Sequence, residues 1–562
     1  MLIEIQCDKF ISHGKIREPI RFHKGLNAVL GDDNGSNSIG KSTFLMILDF
    51  VFGGKDYVNK CTDVQTNVQE HNINFTFEFE GDYYHFSRNT VSYNTVTRCD
   101  ENYNPLPEDS QMTLKSYCAF LSEKYGTSVE ESLTWRSAVS RYIRVWKRDT
   151  LDEERPLKEA KDESAEAAIK KYMQLFGRYL PVEAQIQQAK EAEDEKETFK
   201  KSADYKHIQA AKNKPEYEDN EKRIAVLKDK QQELAEQSNK GLLNLDAFQT
   251  NHLTGLENQL RLYCRQKAKV QAQLNSIRRE MAEGKKSFKK TYSELERFFP
   301  EAEFQTLENI ESFHQKLAKV LGDEFKETEK GLATTFMILS NEIVRIQDEI
   351  EEIKKIPNVS EAILKEYAQL NTELNNLITA NANYDRLNEL KKIAGEYAET
   401  RDKVIHDQLL AIESQINGKM KEISNSIFGN EQRMPPVLRM EKLNKYTFDT
   451  PNDGGTGAQY RGLITFDLAN LNVLPIPFLV HDSPLLKNIE KRVLAEIVRL
   501  YAEEESLGKQ VFIAFDMLDT YNEEMQSLLS KYSVLELSPG GNELFGRAWN
   551  KETESEKDGE NK

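Results

Sequence analysis

The chain has 562 residues, 30% of them charged and 38% hydrophobic, with a mean hydropathy of -0.66 and a formal charge of -17 from 76 Lys+Arg against 93 Asp+Glu. That length exceeds a single compact core and predicts several structural units, and the polarity is that of chains with long solvated helices. No apolar run is long enough to span a bilayer. Five cysteines without a C-x-x-C pair argue against a disulfide framework or thiolate zinc site, and the acidity excludes a globally basic nucleic-acid binder while leaving a local basic stripe open.

Residues 1–157 read as mixed α/β. "MLIEIQCDKF" alternates as a strand from its start, with no signal peptide, which places the expectation in the cytoplasm. "PIRFHKGLNAVLG" continues the strand pattern, and "NINFTFEFEGDYYHFSRNT" predicts a hairpin turning at Gly81-Asp82. Between them, Gly35 to Ser42 (G-S-N-S-I-G-K-S) fits the phosphate-binding pattern G-x-x-x-x-G-K-[ST], with Ser38 and Ile39 where small, flexible residues are common. The match follows a strand, "LNAVLG", and opens the apolar helix "STFLMILDFVFGG", which is the context the motif needs. Loop N–H groups and the helix start would cradle phosphate, Lys41 would reach the β- and γ-phosphates, and Ser42 would hold Mg2+. The expected ligands are ATP and Mg2+.

From 158 to 428 the texture turns to Glu, Lys, Gln, Leu and Ala. Three heptad runs stand out: Leu256, Leu260, Tyr263 continuing to Val270, Leu274, Ile277 and Met281, broken only at Lys267; Leu339, Ile343, Ile346, Ile350, Ile353; and Ile363, Tyr367, Leu370, Leu374, Leu377. Alternating spacings of three and four place each run on a narrow seam that must pack against another helix. Pro181, Pro215, Pro300 and Pro357 interrupt the pattern, and "ERFFPEAEFQTL" (296–307) is a candidate central elbow or hinge. The expectation is a pair of arms that leave the first domain and return antiparallel. "RSAVSRYIRVWKR" (136–148) and "SIRREMAEGKKSFKK" (276–290) read either as solvated helix faces or as basic stripes for DNA.

Residues 429–546 alternate strand and helix: "YRGLITFDLANL" as a helix, "IPFLVHDSP" as a buried strand ending in an acid, "KRVLAEIVRLYAEEESLGKQ" as an amphipathic helix and "VFIAF" as a buried strand. This suits the second half of a parallel-sheet ATPase; 547–562 is a polar tail expected to be disordered. Asp482, closing an apolar strand, is the candidate acid for the metal, or else a cap on the helix that follows. Ser483 follows it and cannot serve as a strong base; His481, acting through a water, is the neighbouring catalytic candidate. Thr456-Gly457-Ala458-Gln459 opens a helix after "FDTPNDGG", as an anion-contacting turn or a glycine-rich cap.

A strand-rich start, a phosphate loop, a coiled-coil insertion, a glycine turn and an acid-ended strand together resemble the SMC/RecN class of ABC ATPases, over nearly the whole chain. More narrowly, "SNSIGKST", "FFPEAEFQTLENIESFHQKL", "GGTGAQYRGLITFDLANL" and "PFLVHDSPLL" resemble the bacterial YydD-like family with its C-terminal domain of unknown function. The resemblance implies an α/β, ABC-type head assembled from both chain ends around an antiparallel coiled coil. It implies nucleotide contacts at Gly35, Asn37, Ser38, Ile39, Gly40, Lys41, Ser42 and Thr43, catalysis through Lys41 and Asp482, Mg2+ at Ser42 and Asp482, and signature contacts from Thr456 and Gly457. A homodimer through the heads, arranged head-to-tail so that the phosphate loop of one faces the signature turn of the other, that hydrolyses ATP, contacts DNA and controls a nuclease effector with a small accessory protein follows, as in ABC three-component and Lamassu-type antiphage defence. DNA repair, or a nucleotide-stabilised scaffold with negligible turnover, are the alternatives. Ser483 replaces the usual glutamate and Phe515 the usual switch histidine. No zinc-hook motif is present, and Arg136 and Arg141 are the polar candidates near the Gln-loop position.

Overall fold

The computed structural model describes residues 1–32, 38–107, 110–127, 129–130, 132–204, 208–238, 246–298, 328–352, 361–429, 431, 433–516 and 520–549. Gly35 and Asn37, the elbow beyond Phe298, Pro300, Pro357 and the tail from Asn550 lie outside them. The chain forms two compact units, one of Met1–Gln185 with Arg401–Lys562, the other Ile186–Thr400.

The first unit is the α/β head. It opens with β1 (Leu2–Gln6), the short hairpin β2 (Ile11–Ser12) and β3 (Lys15–Ile16), β4 (Ile20–Arg21) and β5 (Gly25–Leu30). Three helices follow, α1 (Lys41–Val51), α2 (Asp56–Lys60) and α3 (Thr62–Val68), then β6 (Asn72–Phe79), β7 (Asp82–Asn89), β8 (Thr95–Cys99), β9 (Gln111–Thr113), α4 (Leu114–Tyr125), α5 (Trp135–Val139), β10 (Ile143–Arg144) and α6 (Ala165–Leu175). The hairpin turns one residue earlier than expected: Phe79 pairs with Asp82, leaving Glu80 and Gly81 at the tip with φ of 57° and 94°. Two positive-φ residues match the right-handed strand twist.

The second unit is helical. Its helices are α7 (Tyr179–Asp204), α8 (Lys214–Ser238), α9 (Asp246–Phe298), α10 (328–352) and α11 (Glu361–Phe428), with the ends of α7 and α11 counted in the head. Pro181 and Pro215 begin helices rather than break them, since each sits in a first turn, where its missing N–H costs nothing. Leu256 packs with Ile346 and Ile350, joined by Leu253, Leu260 and Tyr263. Arg278 pairs with Glu329 at 2.6 Å, so the partner number falls as the position in α9 rises, and the two helices are antiparallel. Lys267, the break in the heptad, lays its ammonium 4.8 Å from the Phe336 ring. Against α11, α8 is also antiparallel: Asn220 bonds Asn381 at 2.9 Å and Gln231 bonds Asn371 at 3.3 Å.

The chain completes the head with β11 (Val437–Lys442), β12 (Lys445–Asp449), α12 (Thr456–Val473), β13 (Phe478–His481), α13 (Ser483–Leu486), α14 (Lys491–Glu503), β14 (Gln510–Phe515), α15 (Glu523–Lys531) and β15 (Ser533–Glu536). Two main sheets result: antiparallel β4-β1-β6-β7-β8-β9 and parallel β10-β13-β14-β5-β15. Every residue of β5, β13 and β14 is buried, because a parallel sheet is covered on both faces. Gln510 joins the two sheets, accepting from Leu2 N–H at 3.0 Å and donating to Leu2 C=O at 2.8 Å. The composition changes near 158 while the head continues to 185, because α6 is helical yet buries Ile169, Tyr172 and Met173 in the head.

Candidate nucleotide site

β5 ends at Leu30, and α1 begins at Lys41 with Gly40 as its N-cap, at φ 103°. A Cβ there would lie 2.5 Å from the Leu544 side chain, so glycine is required by both backbone and space. Ser38 holds φ 62°, the left-handed conformation that favours glycine. Ile39 is buried and accepts a hydrogen bond at its carbonyl from Leu544 N–H, 3.0 Å away. The buried Ile39 side chain and the Leu544 contact place the segment around Leu544 against the start of α1.

Ser42 and Asp482 meet. The serine Oγ donates to Asp482 Oδ1 at 3.0 Å. The same carboxylate accepts from Trp146 N–H at 3.0 Å and Ser483 N–H at 2.8 Å. Asp482 thus lies beside Ser42 and also caps α13, as the second sequence reading of it expected. Burial pushes its carboxyl pKa up, against those hydrogen bonds. A buried carboxylate held by neutral donors, beside a hydroxyl, suits a hard divalent cation such as Mg2+. Among the described residues no cluster of three or more His, Cys, Asp or Glu gathers as a metal site, so a cation here would complete its shell with phosphate or water oxygens. Thr43 follows in the first turn of α1.

Lys41 is buried and pairs with Asp516 Oδ1 at 2.5 Å; Asp516 Oδ2 meets Lys487 at 3.1 Å. Gly31 admits this pair, since a Cβ there would stand 2.4 Å from Asp516 Oδ1. Sequence reasoning stopped at Phe515 and missed the acid one residue on, which is recognisable only once β14 is known to end beside the loop.

His481 is not brought to this pair. It is fully buried, with Nδ1 2.6 Å from Tyr501 Oη and Nε2 3.0 Å from Asp467 Oδ2. Alternation along β13 sends successive side chains to opposite faces, and with both ring nitrogens occupied no atom is left to take a proton from water. Burial lowers its pKa, keeping it neutral. Arg144 also grips Asp467, by Nε at 2.8 Å and Nη2 at 2.7 Å. Burial works against the Asp467 charge, but the Arg144 guanidinium holds its pKa below the usual range. This network ties β10, α12 and β13 together.

The arginines of the basic run 136–148 turn toward internal partners, contrary to both sequence readings, while Lys147 is exposed beside Asp63. Arg136 reaches Asp49 Oδ1, shared with Arg148 at 2.9 Å, and Arg141 is fully buried beside the Tyr172 ring. Neither Arg136 nor Arg141 approaches Ser42 and Asp482; Trp146 does, through its backbone, with its side chain 59% exposed. In the run 276–290, Arg278 is exposed and ion-paired with Glu329.

Thr456 is exposed at the start of α12, whose N-terminus has no side-chain cap. Gly457 is required by close approach, since a Cβ would fall 2.3 Å from Asn488 C=O. Arg461 steadies this end by pairing with Asp453 at 2.9 Å.

A family described as an uncharacterised protein conserved in bacteria (DUF2326) matches residues 421–549. No curated protein matches the chain. Among solved structures, the chain is similar to the Smc head domain with a coiled coil and joint from Pyrococcus yayanosii, at 13% identity and TM-score 0.39 over 97% of this chain and 96% of that one. It is also similar to the Smc head with an extended coiled coil from Pyrococcus furiosus, bound to the C-terminal domain of ScpA, at 11% identity and TM-score 0.30, covering 94% and 91%. A third is an Smc head bound to the C-terminal winged-helix domain of ScpA, at 9% identity and TM-score 0.35, covering 94% and 92%. No described helix is long and apolar enough to cross a membrane.

Proposed function

We propose that the chain is an SMC-like ATPase whose heads dimerise on ATP and Mg2+ and so control DNA contact and an associated effector. The observation that carries this is the meeting of Ser42, beside Lys41 at the start of α1, with Asp482 just past β13, their side chains 3.0 Å apart. Lys41 and the α1 N-terminus bind the phosphates; Ser42 and Asp482 hold the cation, which supplies charge neutralisation on the phosphate oxygens when bound. The uncapped, exposed start of α12 at Thr456 and Gly457 offers backbone donors to a γ-phosphate held by a second head. The antiparallel helices of the second unit are the element such pairing would move.

DNA as partner, a nuclease effector and accessory subunit in antiphage defence, and a cytoplasmic setting are parts of the same proposal, supported by the motif resemblance. With Arg141, Arg144 and Arg148 buried and Arg136 paired with Asp49, a DNA surface is sought elsewhere. Phosphate release with and without linear and hairpin DNA, in wild type and Lys41→Ala, tests it. DNA-stimulated turnover lost in the variant supports the proposal; DNA-indifferent background turnover sinks it. One observation favours the scaffold reading: Ser483, in the glutamate position, is buried at the start of α13. A protein that dimerises on ATP yet releases no phosphate would establish that reading instead.

A further inference from the structure

We propose that Asp516 is the acid that acts on the attacking water, in place of the glutamate that Ser483 replaces. The inference rests on the ATPase reading above. Strand β14 pairs with β5 on one side and β13 on the other, so the residue just past its end emerges between Gly31, past β5, and Asp482, past β13. That residue is Asp516, its side chain only 4% exposed. Its Oδ1 stands 2.5 Å from the Lys41 ammonium and its Oδ2 3.1 Å from Lys487. Its charge also reaches Asp482, adding to the upward pKa shift there.

The placement matters because Lys41 is the group directed at the β- and γ-phosphates. An acid touching that ammonium is within one water of where the γ-phosphate is engaged. When Lys41 turns to phosphate oxygens, Asp516 Oδ1 becomes free to accept from a water while Lys487 retains Oδ2, so the carboxylate keeps its orientation. In the step itself, the water oxygen forms a bond to the γ-phosphorus. The bond from that phosphorus to the β–γ bridging oxygen breaks, its electron pair leaving with ADP. The water proton passes to Asp516 and then to the released phosphate. Ser483 cannot take that proton at neutral pH.

A carboxylate beside Lys41 could instead serve only to neutralise its charge, and the two roles separate experimentally. Asp516→Asn in the full chain is compared with wild type by the affinity of a fluorescent non-hydrolysable ATP analogue with Mg2+ and by phosphate release. The expected result is turnover reduced about 100-fold, with affinity unchanged or tightened because Lys41 loses an internal competitor. Turnover retained, or affinity and turnover lost together, overturns the proposal. Lys487→Met, at a half-exposed side chain, is the second variant should Asp516→Asn not fold: turnover falls severalfold at unchanged affinity, and unchanged turnover overturns. Wild type that binds the analogue but releases no phosphate also overturns it. Failure of the ATPase reading itself shows separately, as wild type that does not bind the analogue.

Discussion

Ser42 Oγ donates to Asp482 Oδ1 at 3.0 Å across a separation of 440 residues. The proposed cation site therefore needs both ends of the chain folded into one unit. Asp482→Asn removes the negative charge and keeps one oxygen, which can accept from Trp146 N–H or Ser483 N–H but not from both, since these bond Oδ2 and Oδ1 respectively. Nucleotide affinity measured with Mg2+ is expected to fall about tenfold, or about 1.4 kcal/mol, while affinity in excess EDTA stays unchanged.

The Arg144–Asp467 pair is fully buried and doubly hydrogen-bonded. Removing one partner strands the other charge, which costs about 3–5 kcal/mol. Arg144→Met is expected to lower the urea midpoint of head unfolding accordingly, with Arg144→Lys in between because it cannot grip both carboxylate oxygens.

His481 titrates below its ordinary value because burial disfavours its charged form. The folded head holds it neutral, whereas the unfolded chain takes up a proton near pH 6.5. Its contribution is therefore complete above about pH 6.5 and is lost as pH falls below that value toward the lowered folded pKa. The raised carboxyls of Asp482 and Glu504 act with the opposite sign, so the variant isolates the histidine. Urea midpoints between pH 7 and 5 should decline less steeply in His481→Gln than in wild type.

Gly457 carries a different load from Thr456. With Asn488 C=O 2.3 Å from any added Cβ, Gly457→Ala must shift either α12 or the turn after α13, and is expected to lower thermal stability. Exposed Thr456 can be changed without that cost. Thr456→Ala should leave analogue affinity of the monomer unchanged and reduce nucleotide-dependent dimerisation, read by sedimentation with and without ATP analogue.

How much was legible beforehand depended on the range of the interaction. Local signals spoke for themselves: the loop pattern at Gly40, Lys41 and Ser42, the strand that Asp482 terminates, and the heptads that pair α9 with α10. Each is set by spacing along a few turns or one strand, so periodicity reveals it. The basic run 136–148 misled in both readings, because charge composition does not say which way a side chain points. Four arginines there serve buried carboxylates, carbonyls and an aromatic ring. The first two prolines likewise stand in the helical region for a reason that depends on register, since a first turn tolerates what a helix interior does not.

By itself the sequence determined that a phosphate-loop pattern, an acid-ended strand and long heptad-patterned helices are present, since these follow from residue type at short spacing. The tertiary structure decided which of them meet. Placing β14 between β5 and β13 brings Asp516 to Lys41, fills the His481 ring with Tyr501 and Asp467, and gives Asp482 its hydroxyl. Those relationships join residues tens to hundreds of positions apart, and strand order in the sheet, which no local pattern encodes, sets them.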